Sequence, residues 1–133
     1  MIVGIGIDII NVGRIGRIIN KWNSRFTHRI FTYKERLYCE KKKNGFQSYA
    51  ARFAAKEALL KALGLGLSGV SWNDIEVTNN SLGQPFVKLQ GNIKKIAVEK
   101  NINKIFLTIS HSNEYAIAQV ILEGKLTKKS CRK

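Results

Sequence analysis

Four polar residues stand where chemistry could be done: Asp8 in a run of isoleucines, Glu57 and Lys61 one helical turn apart, and His111 between two apolar runs. Asp8 is the odd one, an acid inside MIVGIGIDIINVGRI in a chain with 23 Lys and Arg against 9 Asp and Glu. A buried carboxylate without a partner is costly, so an acid in this setting is a candidate metal ligand, catalytic group or capped turn. Two carboxylates from distant segments could together hold Mg²⁺, a hard ion that takes one or two carboxylates with water and phosphate oxygens. Lys61 could then neutralise a phosphate beside the ion, and His111 could hydrogen-bond one. Spacing alone does not bring Asp8 to Glu57. The ordinary alternatives are a surface Glu57–Lys61 ion pair and a turn histidine satisfied by local backbone. Nucleophile signatures are missing: there is no GxSxG and no HExxH, and neither Cys39 nor Cys131 has an activating neighbourhood or a CxxC or Cys/His spacing that suggests zinc or a disulfide framework.

The elements that must position these groups can be read from periodicity. Residues 2 to 10 alternate as a strand, with Ile5, Ile7 and Ile9 on one face and Gly4, Gly6, Asp8 and Ile10 on the other. Asp8 therefore stands on the face that two glycines leave open. Ile9 occupies the place of the third glycine of GxGxxG, which rules out a dinucleotide fingerprint. Asn11 is a good N-cap for an amphipathic helix over residues 12 to 22, with Ile15, Ile18, Ile19 and Trp22 on its apolar stripe. Arg14, Arg17 and Lys21, with Arg25 if the helix continues, fall on a neighbouring face: either a solvated face or a docking strip for something acidic. Thr32 is placed to cap a short helix containing Glu35. The clearest helix covers residues 49 to 63, rich in Ala and Leu and stopped by Gly64.

The second half changes period. Trp72, Ile75 and Val77 lead through Asn79, Asn80 and Gly83 to a partner strand at Phe86–Leu89, and Ile93, Ile96 and Ala97 mark a short helix. Ile105–Ile109 and Tyr115–Leu122 read as a hairpin joined by residues 110 to 114. The expected class is α+β, with helices packed on a mostly antiparallel sheet.

With 133 residues, 44% of them hydrophobic, and no linker composition, the chain reads as one domain over residues 1 to 123 followed by a basic, solvated, disordered tail at 124 to 133. No apolar run approaches a bilayer span and no leader pattern is present, so the expectation is a cytoplasmic protein with no membrane partner. The formal charge of +14 attracts nucleic acid, anionic lipid, phosphorylated ligands or an acidic protein without choosing among them. A basic nucleic-acid-binding module without enzymatic activity is the competing reading, but no RNP motif, zinc finger or aromatic platform accompanies the charge.

GIGIDIINVGRI, RFAAKEALLKALG, the GQP turn and ISHSNEYAIAQVILE, in that order, resemble the holo-acyl-carrier-protein synthases, the small trimeric class of 4′-phosphopantetheinyl transferases, from residue 1 to about 123. The resemblance implies the 4′-phosphopantetheinyl transferase fold and transfer of phosphopantetheine from coenzyme A to a serine of apo acyl carrier protein, with release of adenosine 3′,5′-bisphosphate, for fatty acid biosynthesis. It implies Mg²⁺ held by Asp8 and Glu57, with Lys61 on phosphate. Arg52, Lys61, Gly64, Ser110 and His111 would line the coenzyme A site, and Arg14 would dock the acidic carrier protein, with Arg17, Lys21 and Arg25 as additions. It also implies a homotrimer with sites between subunits and, on this reading, no nucleic-acid partner. The general base stays open between Glu57 acting through water and a carboxylate of the carrier. One departure stands out: the family commonly has Glu where this chain has Asn11, which caps but adds no charge, and on that residue alone rests a third reading, a trimeric scaffold without activity.

Overall fold

The computed structural model describes residues 1–67 and 69–125; most of the basic tail lies outside the described residues. The alternating N-terminal segment forms strand β1 (Ile2–Asn11), and the Ala/Leu segment forms helix α4 (Gly45–Leu63), which begins earlier than residue 49. The two pack directly on each other. A Cβ on Gly6 would fall well inside contact distance of the Ala58 carbonyl oxygen and 2.8 Å from the Ala62 nitrogen, and one on Gly4 would meet the Ala62 carbonyl. The glycine face is therefore not left open. It lets the helix backbone settle onto the strand, and Ala50, Ala54, Ala55 and Ala58 are fully buried in the core around that approach.

Gly6→Ala is accordingly expected to lower stability by about 1–3 kcal/mol or more, the usual cost of overpacking where the obstacle is backbone. A urea midpoint equal to that of the parent would contradict this packing.

Gly64 stops α4 in the left-handed region at φ 73°, where its N–H bonds to the Lys61 carbonyl at 3.0 Å and the Leu65 N–H to the Leu60 carbonyl at 2.9 Å. Beneath the helix lies an antiparallel sheet of order β1-β5-β4, with β4 at Ile102–His111 and β5 at Tyr115–Gly124. Its joint is tighter than the five residues expected, because the Ser112 hydroxyl accepts from the Glu114 and Tyr115 N–H groups. Ser110 and His111 thus belong to β4, paired with Ile117 and Ala116. Two-residue alternation separates the sheet's faces. Asp8, Ala118 and Ile109 form one row on the α4 side, while Ile9, Ile117 and Ser110 form a row on the other. That second face leaves Ile5, Ile7, Ile9, Phe106 and Ile117 exposed.

Helix α1 (Val12–Trp22) starts as expected, with Asn11 Oδ1 accepting from the Arg14 N–H at 2.9 Å. It does not continue to Arg25. Asn23 turns the chain at φ 49° and a separate helix α2 (Ser24–Ile30) carries Arg25, so the alignment of Arg25 with Arg14, Arg17 and Lys21 along one helix is lost. Thr32 and Glu35 cap helix α3 (Tyr33–Lys41) with a reciprocal capping box. Strands β2 (Ile75–Asn79) and β3 (Pro85–Leu89) form the expected hairpin, and α5 (Gly91–Glu99) the short helix before β4. No helix among the described residues is long and apolar enough to cross a membrane.

Candidate active site

Asp8 leaves β1 toward α4, and Lys61 reaches it from the last turn of that helix. The Lys61 ammonium donates to Asp8 Oδ1 at 2.9 Å and to the Ile7 carbonyl at 3.0 Å. Lys61 is thus engaged by the strand, and its ion pair is with Asp8, not with Glu57 one turn back on its own helix. The Asp8 side chain is only 10% exposed, and its Oδ2 is buried without a hydrogen-bond partner among the described residues.

Glu57, half-buried on α4, completes the group. Its carboxyl is pushed up to about 7, first by burial and then by the Asp8 carboxylate beside it, while Lys61 and Arg14 pull the other way. The two carboxylates, from distant segments, therefore adjoin.

Two adjoining carboxylates, one with an orphaned buried oxygen, fit a divalent cation. No group of three or more Asp, Glu, His or Cys side chains gathers among the described residues, so an ion here rests on two protein ligands. That suits Mg²⁺, which keeps its remaining positions for water and phosphate.

The raised Glu57 value carries a stability consequence. An unfolded glutamate releases its proton near 4.5, whereas the folded one holds it to about 7, so stability falls as pH rises through that window. In chelator-treated buffer, Glu57→Gln should be more stable than the parent at pH 8 by roughly 1 kcal/mol, after allowance for solvent screening, with no such gain at pH 4. Thermal melts at the two pH values check this; equal gains at both would contradict it.

The other predicted residues do not join this cluster within one chain. Arg52 is 5% exposed; it donates to Asn79 Oδ1 at 2.7 Å and lies 3.9 Å over the Tyr38 ring, engaged toward β2 and α3 instead of β1. Gly64 ends the helix one turn after Lys61. Ser110 and His111 are exposed near the end of β4, two strands and so about 10 Å from β1. Arg14, Arg17, Lys21 and Arg25 are all exposed, the first three on α1. Neither of two cavities, of about 370 and 380 Å³, is lined by Asp8, Glu57 or Lys61. The carboxylate site lies outside both.

Sequence reasoning missed Lys56 and Glu35. They form a fully buried ion pair at 2.7 Å that ties α4 to α3. The Lys56 ammonium, disfavoured by burial, also donates to the Ile30 and Trp72 carbonyls, and Glu35 accepts from the Thr32 and Val77 N–H groups. One signal was available: Lys56 lies three and four residues from Phe53 and Leu60, on the buried side of the helix.

A model of the 4′-phosphopantetheinyl transferase superfamily matches residues 4–120, and the chain belongs to that superfamily. Among its relatives it is 46% identical to the holo-[acyl-carrier-protein] synthase of Geobacter metallireducens over 124 residues, covering 92% of this chain and 98% of that one. With the enzyme of the same name from Alkaliphilus metalliredigens it shares 52% over 121 residues, covering 91% and 98%. The branch to which it belongs is thus that of the holo-[acyl-carrier-protein] synthases. The solved holo-[acyl-carrier-protein] synthase of Neisseria meningitidis superposes with a TM-score of 0.85 at 35% identity, over 92% of this chain and 99% of that one. The Bacillus anthracis enzyme, solved in complex with CoA (3′,5′-ADP), does so with a TM-score of 0.76 at 42% identity, over 94% and 99%.

Proposed function

We propose that this protein transfers 4′-phosphopantetheine from coenzyme A to a serine of apo acyl carrier protein, in the service of fatty acid biosynthesis in the cytoplasm. The observation that carries the reading is the junction of β1 and α4, where Asp8, Glu57 and Lys61 form one charged group. The serine oxygen bonds to the β-phosphorus, the bond from that phosphorus to the bridging oxygen breaks, and adenosine 3′,5′-bisphosphate departs with the electron pair. Such a reaction asks for positioning and charge neutralisation more than for a protein nucleophile. Asp8 and Glu57 would hold Mg²⁺, which when bound would supply positive charge to the diphosphate oxygens. The Lys61 ammonium neutralises a further phosphoryl oxygen, and either Glu57 or a carrier carboxylate takes the serine proton.

The exposed Ile5, Ile7, Ile9, Phe106 and Ile117 make a contiguous apolar sheet face, larger than the scattered apolar residues of a monomer's surface, and association into a homotrimer would cover it. Ser110 lies on that face, opposite to Asp8, whereas His111 alternates to Asp8's face two strands away; together with Arg52 they would serve coenzyme A in a cleft shared between copies. Arg14, Arg17 and Lys21 on α1, joined by Arg25 from α2, face solvent where an acidic carrier can dock. Asn11 fulfils its capping role without adding charge near the ion.

Chromatography of the nucleotides tests the reading. Adenosine 3′,5′-bisphosphate should appear from coenzyme A only when protein, Mg²⁺ and apo carrier are all present. Its absence, or its appearance with a carrier whose acceptor serine is alanine, would overturn it.

A further inference from the structure

Lys61 is placed differently from a side chain that merely waits for phosphate. Its ammonium already spends two hydrogen bonds on the strand that carries Asp8, one on Oδ1 and one on the Ile7 carbonyl. A cation approaching Asp8 meets a carboxylate with one oxygen, Oδ1, shared with the positively charged ammonium and the other, Oδ2, buried and without a partner among the described residues. With Asp8 and Glu57 both ionised, Lys61 halves the net charge of the trio that an incoming ion would feel. The side chain is also 55% exposed, so the ammonium can swing outward without repacking the core.

We propose that Lys61 is a built-in competitor of the divalent cation at Asp8, and that phosphate oxygens of coenzyme A relieve the competition by drawing the ammonium away from Oδ1. The inference rests on reading Asp8 and Glu57 as the ion's ligands. Cation and coenzyme A then bind cooperatively through Lys61, and by linkage each raises the other's affinity by the same factor. An ion loaded before coenzyme A is held weakly, and one loaded with it is held firmly.

The test uses Mn²⁺, which favours the same carboxylate and water ligands as Mg²⁺, with free ion counted by electron paramagnetic resonance. Without coenzyme A, Lys61→Met should bind Mn²⁺ about tenfold more tightly than the parent, through loss of one nearby positive charge. Lys61→Arg, which keeps the charge, should stay near the parent, and circular dichroism confirms that both variants are folded. At saturating coenzyme A the advantage of Lys61→Met should shrink or reverse. Equal or weaker Mn²⁺ binding by Lys61→Met would overturn the competition and leave the transferase reading standing. An advantage of unchanged size with coenzyme A present would overturn the linkage. If neither the parent nor Lys61→Met binds Mn²⁺ in a manner lost on Asp8→Ala, the metal reading falls together with this inference.

Discussion

Lys56→Met is expected to destabilise the protein by about 3–5 kcal/mol, the cost of leaving one member of a buried ion pair without its counter-charge. The physical reason lies in Glu35. Its Oε1 accepts from Lys56 at 2.7 Å and from the Thr32 N–H at 2.8 Å, and its Oε2 accepts from the Val77 N–H at 2.9 Å. Methionine matches the length of the lysine stem but leaves that carboxylate charged in a core that excludes water, and it orphans the Ile30 and Trp72 carbonyls. Guanidinium unfolding measures the loss. The double variant Glu35→Gln, Lys56→Met should recover part of it, because the two sites are energetically coupled. A single variant within 1 kcal/mol of the parent would mean that the pair contributes little to holding α3, α4 and β2 together.

Asp8→Asn should lower the transfer rate by at least about 10²-fold, the scale seen when a group that organises transition-state charge is lost. The change keeps the shape of the side chain and a hydrogen-bonding oxygen toward Lys61, so folding should be little affected. What disappears is the negative charge that, with Glu57, holds the cation. The accompanying sign is electrostatic: without repulsion from Asp8, Glu57 should titrate below its raised value of about 7. Steady-state rates with coenzyme A and apo carrier check the first effect, and titration of Glu57 by carbon-13 resonance the second. Parent-like turnover would remove Asp8 from the centre.

The sequence made some of this legible and hid the rest for identifiable reasons. β1 was visible as an alternation of isoleucine with Gly, Gly and Asp, and α4 as an Ala/Leu run closed by a glycine. Periodicity assigns faces but not which face meets which element. The glycines of β1 were nonetheless the signal, because a strand bare of side chains on Asp8's face invites a helix, and α4 with its small residues is the helix that comes. The end of the helix at residue 22 was readable, but spacing leaves open whether Arg25 continues it, since asparagine is tolerated in a continuing helix as well as at the positive φ that Asn23 adopts. Glu35 reads from the sequence only as a member of the helix that Thr32 caps, without its reciprocal bond to the Thr32 N–H. Its partnership with Lys56 depends on contacts between distant segments that no spacing encodes. The motifs read with the family resemblance correspond to the match over residues 4–120, and the Asp8–Lys61 contact adds a detail that neither motif nor spacing contained.

The measurement that bears most directly on the central claim is the intact mass of an apo acyl carrier protein incubated with this protein, coenzyme A and Mg²⁺. The predicted result is a mass increase equal to one phosphopantetheine, located on a single serine and all but abolished by Asp8→Asn. A carrier of unchanged mass in the presence of folded protein, or full modification by the Asp8→Asn variant, would contradict the account.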